Sequence, residues 1–385
     1  MGIFQNNLMG AAASAIGPTT TEFAIWNWGL NNKGQLGVGD TTTRSSPVQM
    51  GDKSDWVFWD SGIQAGAVNA AGELWMWGQG TAGALGQGNT TDYSSPVQVG
   101  SLTDWVAVST GYINQTHATK TDGTLWAWGS NDSGQLGLGD TTDRSSPVQV
   151  GSLTDWGDTI ATINFQSSQS VTGAVKPDGT LWMWGDNGDG QLGLGDTTSR
   201  CSPTQVGSDT DWTMVSIAGH DTSSGIKNTD ELYTWGKGNY GQIGNGTDGE
   251  YSSPVQVAGA WSKVAGGGRS FIALRTNGAL FAWGRNYQSW DPGGILGIGT
   301  SGSGTNECSP VQIGSLTDWA DCVIGQGPGG AINTSSELFT WGANGDGALG
   351  NGTTTGSSSP AQVGSTEWGT FGRGTTRIHM SAYKL

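Results

Sequence analysis

A unit of roughly 50 residues recurs along this 385-residue chain, and no other feature of the sequence constrains its fold as strongly. Residues 122–156 give its clearest form, DGTLWAWGSNDSGQLGLGDTTDRSSPVQVGSLTDW. A repeat of this period is one supersecondary unit, which can bury its apolar face only against its neighbours. Trp-Gly pairs mark the copies at spacings of 48 to 58 residues, and they begin at Trp28, Trp77, Trp128, Trp184, Trp235, Trp283 and Trp341.

Two further markers recur in the same register. A proline stands in each SSPVQ-like element, and a tryptophan closes each unit. Because these markers agree with the Trp-Gly pairs, the sequence predicts seven equivalent units. The prolines are Pro47, Pro96, Pro147, Pro203, Pro254, Pro310 and Pro360, and the closing tryptophans are Trp56, Trp105, Trp156, Trp212, Trp261, Trp319 and Trp368.

Each unit has the pattern of four short β-strands. In TLWAWG, Trp126 and Trp128 are two residues apart and share one face, while Leu125 and Ala127 share the other. WVAVSTG, THATKT and SPVQVG are three further short runs, separated by residues typical of turns. Four strands per unit without helical periodicity predict an all-β fold, a seven-bladed β-propeller. The glycines of GQLGLG are expected to supply positive φ, or room for a neighbouring blade.

The two chain ends are complementary parts of one blade. The chain opens on the third strand of a unit, FAIWNWG, and finishes with the first two strands of another. We therefore predict a propeller domain over residues 21–385 in which N- and C-terminal strands share one blade, so that no sheet edge is left free. The residues expected at this closure are Phe23, Ile25, Trp26, Trp28, Trp368, Ile378 and Met380.

The charge balance restricts the partners. Sixteen Lys and Arg against 32 Asp and Glu give a net charge of −16. Such a surface repels polyphosphates and anionic lipids, so we predict a protein partner and no nucleic acid. No segment has the length and apolar composition of a membrane span.

Residues 1–20 match no part of the repeat and contain no Lys or Arg. A secretory signal requires a positively charged start, so the segment does not have the pattern of one. Two interpretations remain: a disordered terminus, and a docking peptide that orders against a neighbouring subunit.

No motif in the sequence indicates catalysis, a cofactor or a metal. The stretch GDNGDGQLG, which begins at Gly185, is similar to a calcium loop, but its register is not that of an EF-hand and no Glu completes it. We therefore predict that the chain is not an enzyme. Its histidines fall in different units without paired spacing, and its cysteines form no framework and are expected to be free; they are His117, His220 and His379, and Cys201, Cys308 and Cys322.

Two stretches depart from the period, one between Pro147 and Trp184 and a longer one in the loop after Trp283. Between Trp283 and Pro310 the chain carries eight extra residues, among them Tyr287, Trp290 and Asp291. Trp290 belongs to neither repeating tryptophan series. An aromatic residue in an off-period loop is typical of a partner contact, and we predict such a contact at these three residues. The alternative is a loop that packs on its own blade.

The unit DGxLWxWGxNxxGQLG followed by SSPVQV and DW resembles the regulator-of-chromosome-condensation repeat, a family of seven-bladed propellers. The resemblance covers about residues 21–385. One function that this resemblance implies is nucleotide exchange on a small GTPase together with binding to chromatin. The repeats of the founding member favour a His after the AG of the first strand, and here the comparable stretches STGYINQTH, IAGHDTS and GGGRSF are irregular. Photoreceptor members carry Gly-Trp-Arg-His-Thr repeats, but no Gly-Trp dipeptide occurs here, so the tryptophans are expected to pack the blades.

Three functions fit these observations. Near-identical repeats rich in Ser, Thr, Gly and Asn are similar to phage-encoded propellers. They predict a non-catalytic virion or tail accessory protein that acts in attachment or assembly, with residues 1–20 docked on neighbouring virion subunits. One alternative is a cytoplasmic regulator that binds a protein partner such as a small GTPase. The other is a bacterial surface or secreted binding protein.

Overall fold

The repeats fold into seven four-stranded antiparallel sheets, as seen in a computed structural model of the chain. The predicted all-β, seven-bladed β-propeller is confirmed. Within the described residues the one helix is a 3-10 turn at Thr81–Gly83, and none is long and apolar enough to cross a membrane. The structure describes residues 23–111, 114–157, 164–167 (backbone alone), 170–219, 221–287, 293–302, 304–365, 367–372 and 379–384.

The strands follow the sequence in groups of four. In chain order they are β1 (Ile25–Gly29), β2 (Arg44–Gln49), β3 (Trp56–Ser61), β4 (Gln64–Asn69), β5 (Leu74–Gly78), β6 (Tyr93–Gln98), β7 (Trp105–Thr110), β8 (Gln115–Lys120), β9 (Leu125–Gly129), β10 (Arg144–Gln149), β11 (Asn164–Ser167), β12 (Val171–Val175), β13 (Leu181–Gly185) and β14 (Arg200–Gln205). They continue with β15 (Trp212–Ala218), β16 (Thr222–Lys227), β17 (Leu232–Gly236), β18 (Tyr251–Val257), β19 (Trp261–Gly266), β20 (Ser270–Arg275), β21 (Leu280–Gly284), β22 (Glu307–Gln312), β23 (Trp319–Ile324), β24 (Pro328–Asn333), β25 (Leu338–Gly342), β26 (Ser357–Gln362), β27 (Trp368–Phe371) and β28 (His379–Lys384). Blades 1 to 6 hold β3–β6, β7–β10, β11–β14, β15–β18, β19–β22 and β23–β26, and blade 7 holds β27, β28, β1 and β2.

The first strand of each blade lies towards the centre of the ring, where first strands of adjacent blades such as β15, β19 and β23 contact one another. The fourth strand is the outer edge, pairs only with the third, and is largely half-buried. It carries the repeated proline. Because proline has no N–H to donate to a further strand, an outer edge is the position in a sheet that tolerates it.

The antiparallel order gives the ring two different faces. The turn between first and second strands and the long loop between third and fourth strands lie at one end of each blade, which we call the loop face. The turn between second and third strands and the connection to the next blade lie at the other end, which we call the connection face.

One hydrogen bond recurs at all seven junctions between blades. The indole Nε1–H of the third-strand tryptophan donates to a carbonyl in the long loop of the preceding blade, over 2.9 to 3.0 Å. These tryptophans are at most 1% exposed. Each therefore combines a large apolar burial with a satisfied donor, and fixes how adjacent blades dock. The donor–acceptor pairs are Trp77–Gln35, Trp128–Ala84, Trp184–Gln135, Trp235–Gln191, Trp283–Gln242, Trp341–Ile295 and Trp28–Ala348.

A glycine in each long loop makes room for that indole. Gly137 has φ +74°, and a Cβ there would lie 2.8 Å from Trp184 Nε1. No side chain fits in that space, and the positive φ disfavours other residues as well. The predicted use of these glycines, positive φ and close approach of a neighbouring blade, is confirmed.

Blade 7 is built from both ends of the chain, which confirms the predicted closure. In the pairing of β1 with β28, Ile25 lies opposite Tyr383 and Trp28 opposite Met380. On the other side of β28 lies β27, which begins at Trp368. The rings of Trp28 and Trp368 meet edge to face, with centroids 5.7 Å apart.

Aromatic contacts also attach blade 7 to blade 1. Phe23 stacks on Tyr383 with centroids 4.7 Å apart, and meets Trp59 at 4.8 Å. The Trp59 indole N–H donates to Ser381 Oγ over 3.1 Å. The other residues predicted at the closure are Trp26, which lies in β1, and Ile378, which lies outside the described residues, as does segment 1–20.

Two buried histidines make stability depend on pH. Burial lowers the pKa of His117 from 6.5 to about 3 and that of His379 from 6.5 to about 4. Because both pKa values are lower in the folded state, the unfolded chain binds more protons between these values and pH 6.5. The histidines therefore leave stability intact above pH 6.5 and reduce it as the pH falls towards their folded pKa values.

Replacing His379 by glutamine is expected to remove about half of the stability loss that the two histidines cause at acidic pH. Gln115 holds the same position in blade 2, opposite Gly129, as His379 does opposite Gly29. The free energy of unfolding of His379→Gln should fall by roughly 3 kcal/mol less than that of the parent between about pH 7.5 and about pH 4.5, measured by urea unfolding. Equal losses in both proteins would show that His379 is charged or exposed in the folded state.

Candidate functional site

The predicted contact loop begins on the loop face, just beyond β21 in blade 5. Of the three residues predicted there, Tyr287 is half-buried, whereas Trp290 and Asp291 lie outside the described residues. The neighbours of Tyr287 therefore define what this part of the ring can bind.

Tyr287 belongs to a cluster of two arginines and two tyrosines. The Arg285 guanidinium carbon lies 4.4 Å from the centroid of the Tyr287 ring and 5.3 Å from that of Tyr240. The Arg269 guanidinium carbon lies 5.1 Å from the Tyr240 ring. We call Tyr240, Arg269, Arg285 and Tyr287 the Arg–Tyr cluster. It spans the junction of blades 4 and 5, because Tyr240 belongs to the long loop of blade 4.

Backbone geometry brings the two arginines together. Arg269 precedes β20 and Arg285 follows its partner β21, and the Arg285 N–H donates to the Arg269 carbonyl over 2.9 Å. Tyr240 is positioned separately, since its N–H donates to the side chain of buried Gln242 over 2.7 Å. Asn286, which is fully buried, accepts from the Leu296 N–H over 2.9 Å and holds the loop beside Arg285.

The charges around the cluster are mostly compensated. Asp221, whose side chain is 5% exposed, places a carboxylate oxygen 3.7 Å from Arg269 Nε. Burial raises the pKa of Asp221, an effect that the Arg269 charge opposes. Lys237 donates to Asp189 over 2.8 Å, and this bond raises the pKa of Lys237. The result is a row of alternating charges across blades 3 to 5.

Arg285 is the exception. No carboxylate within the described part of the chain forms an ion pair with it, and its Nε atom is buried without an acceptor there. The two tyrosine rings hold the guanidinium by cation–π contacts, which leave the N–H groups of its two Nη atoms available to another molecule. A planar guanidinium with free donors binds carboxylates and phosphates, so the cluster is suited to an acidic group on another molecule.

Other reactive side chains are dispersed. The described residues include no group of three His, Cys, Asp or Glu that could hold a metal ion. All three cysteines are free, and burial raises the pKa of Cys322 to about 12, which keeps that thiol protonated. His220 lies outside the described residues.

Sequence reasoning identified Tyr287 but missed Tyr240, Arg269 and Arg285. A signal was present at the residue after each Trp-Gly pair. The other copies have Leu, Gln, Ser, Asp, Lys or Ala there, and only blade 5 has Arg. Comparing the copies position by position, rather than searching for insertions, would have singled out Arg285.

The repeats match a known family. Sequence models of the regulator of chromosome condensation (RCC1) repeat match residues 24–57, 71–112, 122–161, 178–225, 229–274 and 335–376, and a second model of that repeat matches residues 261–289. These ranges cover well over half of the chain.

Individual relatives agree with the family models. The ultraviolet-B receptor UVR8 of Arabidopsis thaliana is 31% identical over 340 residues, which are 85% of this chain and 74% of UVR8. Human WBSCR16 has the same fold, with a TM-score of 0.80 over 94% of this chain and 100% of that chain at 20% identity. So has Prp20p of Saccharomyces cerevisiae, a protein with described binding properties towards Gsp1p and histones, with a TM-score of 0.77 over 98% of this chain and 93% of that chain at 15% identity.

Proposed function

The chain belongs to the regulator of chromosome condensation repeat family, and we propose that it is a non-catalytic regulator that binds a protein partner through its loop face. Two of the relatives support this proposal, since UVR8 is a receptor and Prp20p binds Gsp1p and histones. They favour the regulator among the functions considered from the sequence. The phage-virion interpretation stays a prediction, since none of the relatives named above is a virus protein.

The observation that carries the proposal is the unpaired guanidinium of Arg285 between two tyrosine rings. Arg and Tyr are, with Trp, the residue types enriched among those that dominate binding energy at protein interfaces. On a chain of net charge −16, a cationic centre is also a local exception. An acidic side chain of the partner, placed against Arg285, would pair with a donor set that the described residues leave available.

The ring gives this site a rigid support. The Trp283 indole ties blade 5 to the long loop of blade 4, which carries Tyr240. The two halves of the Arg–Tyr cluster are thereby held in one geometry before the partner arrives, which reduces the entropy lost on binding. The indole hydrogen bond that joins the two blades does not involve Arg285, so a substitution at that residue leaves this support in place.

Arg285→Met is expected to weaken partner binding by about ten-fold or more, because it removes the guanidinium but keeps an apolar stem against the tyrosine rings. Gsp1p loaded with a fluorescent GDP analogue is the first probe, and both its binding and the release of its nucleotide are measured. Arg144→Met is the matched control: Arg144 begins the outer strand of blade 2 and pairs with Asp140 of the preceding loop, so its replacement should leave the affinity unchanged.

Equal affinity of the Arg285→Met variant and the parent would contradict the loop-face site. Equal weakening by both substitutions would indicate a general charge effect instead. No binding and no accelerated release with the parent protein would rule out this GTPase as the partner.

A further inference from the structure

The connection face carries a second feature that repeats around the ring. In six blades a Lys or Arg side chain lies between two aromatic rings, one from the closing tryptophan and one from the third strand. The distances from the cation to the ring centroids are 4.0 to 5.5 Å. We call this arrangement the cation clamp. The clamped cations of blades 1 to 5 and 7 are Lys53, Lys120, Lys176, Lys227, Arg275 and Lys384.

An acidic residue completes the clamp in three blades. The Asp that precedes the closing tryptophan pairs with the clamped Lys in blades 2, 3 and 4, over 2.9 to 3.3 Å. These lysine side chains are only 4 to 12% exposed. Two ring faces and a carboxylate therefore hold an ammonium group that has lost most of its water, which is where cation–π attraction is strongest.

Blade 6 has the clamp without the cation. The Trp319 and Phe339 rings meet edge to face, with centroids 5.2 Å apart, as the corresponding rings of other blades do. In the part of the chain that the structure describes, no Lys or Arg lies over either ring. Asp318 forms no ion pair there, whereas the equivalent Asp104, Asp155 and Asp211 each pair with the clamped lysine of their blade.

Blade 1 shows how the missing cation would be supplied. Blades 1 and 6 share an Asn–Glu hydrogen bond in the turn after the second strand, Asn69–Glu73 at 2.8 Å and Asn333–Glu337 at 2.7 Å. In blade 1 the cation comes from Lys53, three residues before the closing tryptophan. The equivalent residue of blade 6 is Leu316, which is 45% exposed.

We propose that the blade 6 clamp, formed by Asp318, Trp319, Glu337 and Phe339, receives a lysine side chain of a protein partner. Lysine is the fitting occupant because five of the six internal clamps hold one. Two carboxylates without a cation partner in the described structure add complementary charge. The site lies on the face opposite the Arg–Tyr cluster, and so it goes beyond the proposed function.

The test follows the indole N–H resonance of Trp319 by NMR during titration with Nα-acetyl-lysine methylamide. We expect a saturable shift at millimolar probe, and none with the uncharged norleucine analogue. Leu316→Lys, which reproduces blade 1, should fill the clamp from within and weaken the response by about ten-fold or more. Leu102→Lys is the matched control, because Leu102 is 47% exposed at the same position of blade 2, where Lys120 already fills the clamp.

Lys120→Met provides a complementary measurement, since it empties the blade 2 clamp and should give the Trp105 indole a lysine response that the parent lacks. The proposal is overturned if Trp319 does not respond to the lysine probe, if the norleucine analogue produces the same shift, or if Leu316→Lys and Leu102→Lys respond alike. A failure of Gsp1p to bind would leave these outcomes unchanged, so the two proposals fail separately.

Discussion

A chain that ends at residue 367 is expected to lose its cooperative unfolding transition and to aggregate. The truncation removes β27 and β28, and with them the partner of β1 and the contacts of Trp28 with Trp368 and Met380. Each large buried side chain lost costs about 3 to 5 kcal/mol, so the removal of several approaches the whole stability of a typical domain, about 5 to 15 kcal/mol. Opening the ring also leaves an unpaired strand edge on blade 7, a template for association with other chains.

Calorimetry and size-exclusion chromatography measure this outcome, and a peptide of residues 368–385 added in trans is the control. Because the peptide supplies the missing strands, it should restore both the unfolding transition and the elution volume of the full-length chain. A truncated protein that stays soluble, with an unchanged melting temperature, would contradict closure by the chain ends.

Gly350→Ala is expected to destabilise the protein by about 3 kcal/mol or more. Gly350 has φ +68°, and a Cβ there would lie 2.7 Å from Nε1 of Trp28, in the junction between blades 6 and 7. The added methyl must displace the buried indole and its hydrogen bond to Ala348, which lies two residues earlier in the same loop. The free energy of unfolding is measured by urea denaturation.

Two matched substitutions separate the possible causes. Gly364 has nearly the same φ, +66°, with nothing within 4 Å of a Cβ, so Gly364→Ala should cost about 1 kcal/mol, the strain of the backbone alone. Gly137→Ala places the same clash at the internal junction of blades 2 and 3 and should match Gly350→Ala. A Gly350→Ala variant as mild as Gly364→Ala, beside a severe Gly137→Ala, would mean that the ring is open where the chain ends meet.

The fold could be predicted from the sequence because seven copies report the same local structure. The repeated markers predict the number of blades and the order of the strands within each blade. The positions of Trp28 and Trp368 within the repeat predict that blade 7 is shared by the two chain ends. The acceptors of the indole hydrogen bonds could not be predicted in this way. They are backbone carbonyls of a neighbouring unit, and a carbonyl has no residue type to identify it.

The sites were less predictable because they depend on differences between copies. The Arg–Tyr cluster combines residues 240, 269, 285 and 287 from two blades, and only the docking of those blades brings them together. The clamped cation also comes from different positions of the repeat in different blades. Lys53 reaches its clamp from a connection, whereas Lys120 reaches the equivalent clamp from the end of a strand, so an aligned column of the repeat does not show that both clamps are filled.

Hydrogen exchange of β28 tests most directly whether one closed ring joins the two chain ends. In the closed ring β28 is an inner strand with partners on both sides, β1 and β27, just as β16 in blade 4 lies between β15 and β17. The amides of residues 379–384 should therefore be protected to within about ten-fold of those of residues 222–227, since both strands open only with their blades. Exchange of 379–384 at the rate of an unstructured peptide, beside full protection of 222–227, would contradict the closed ring.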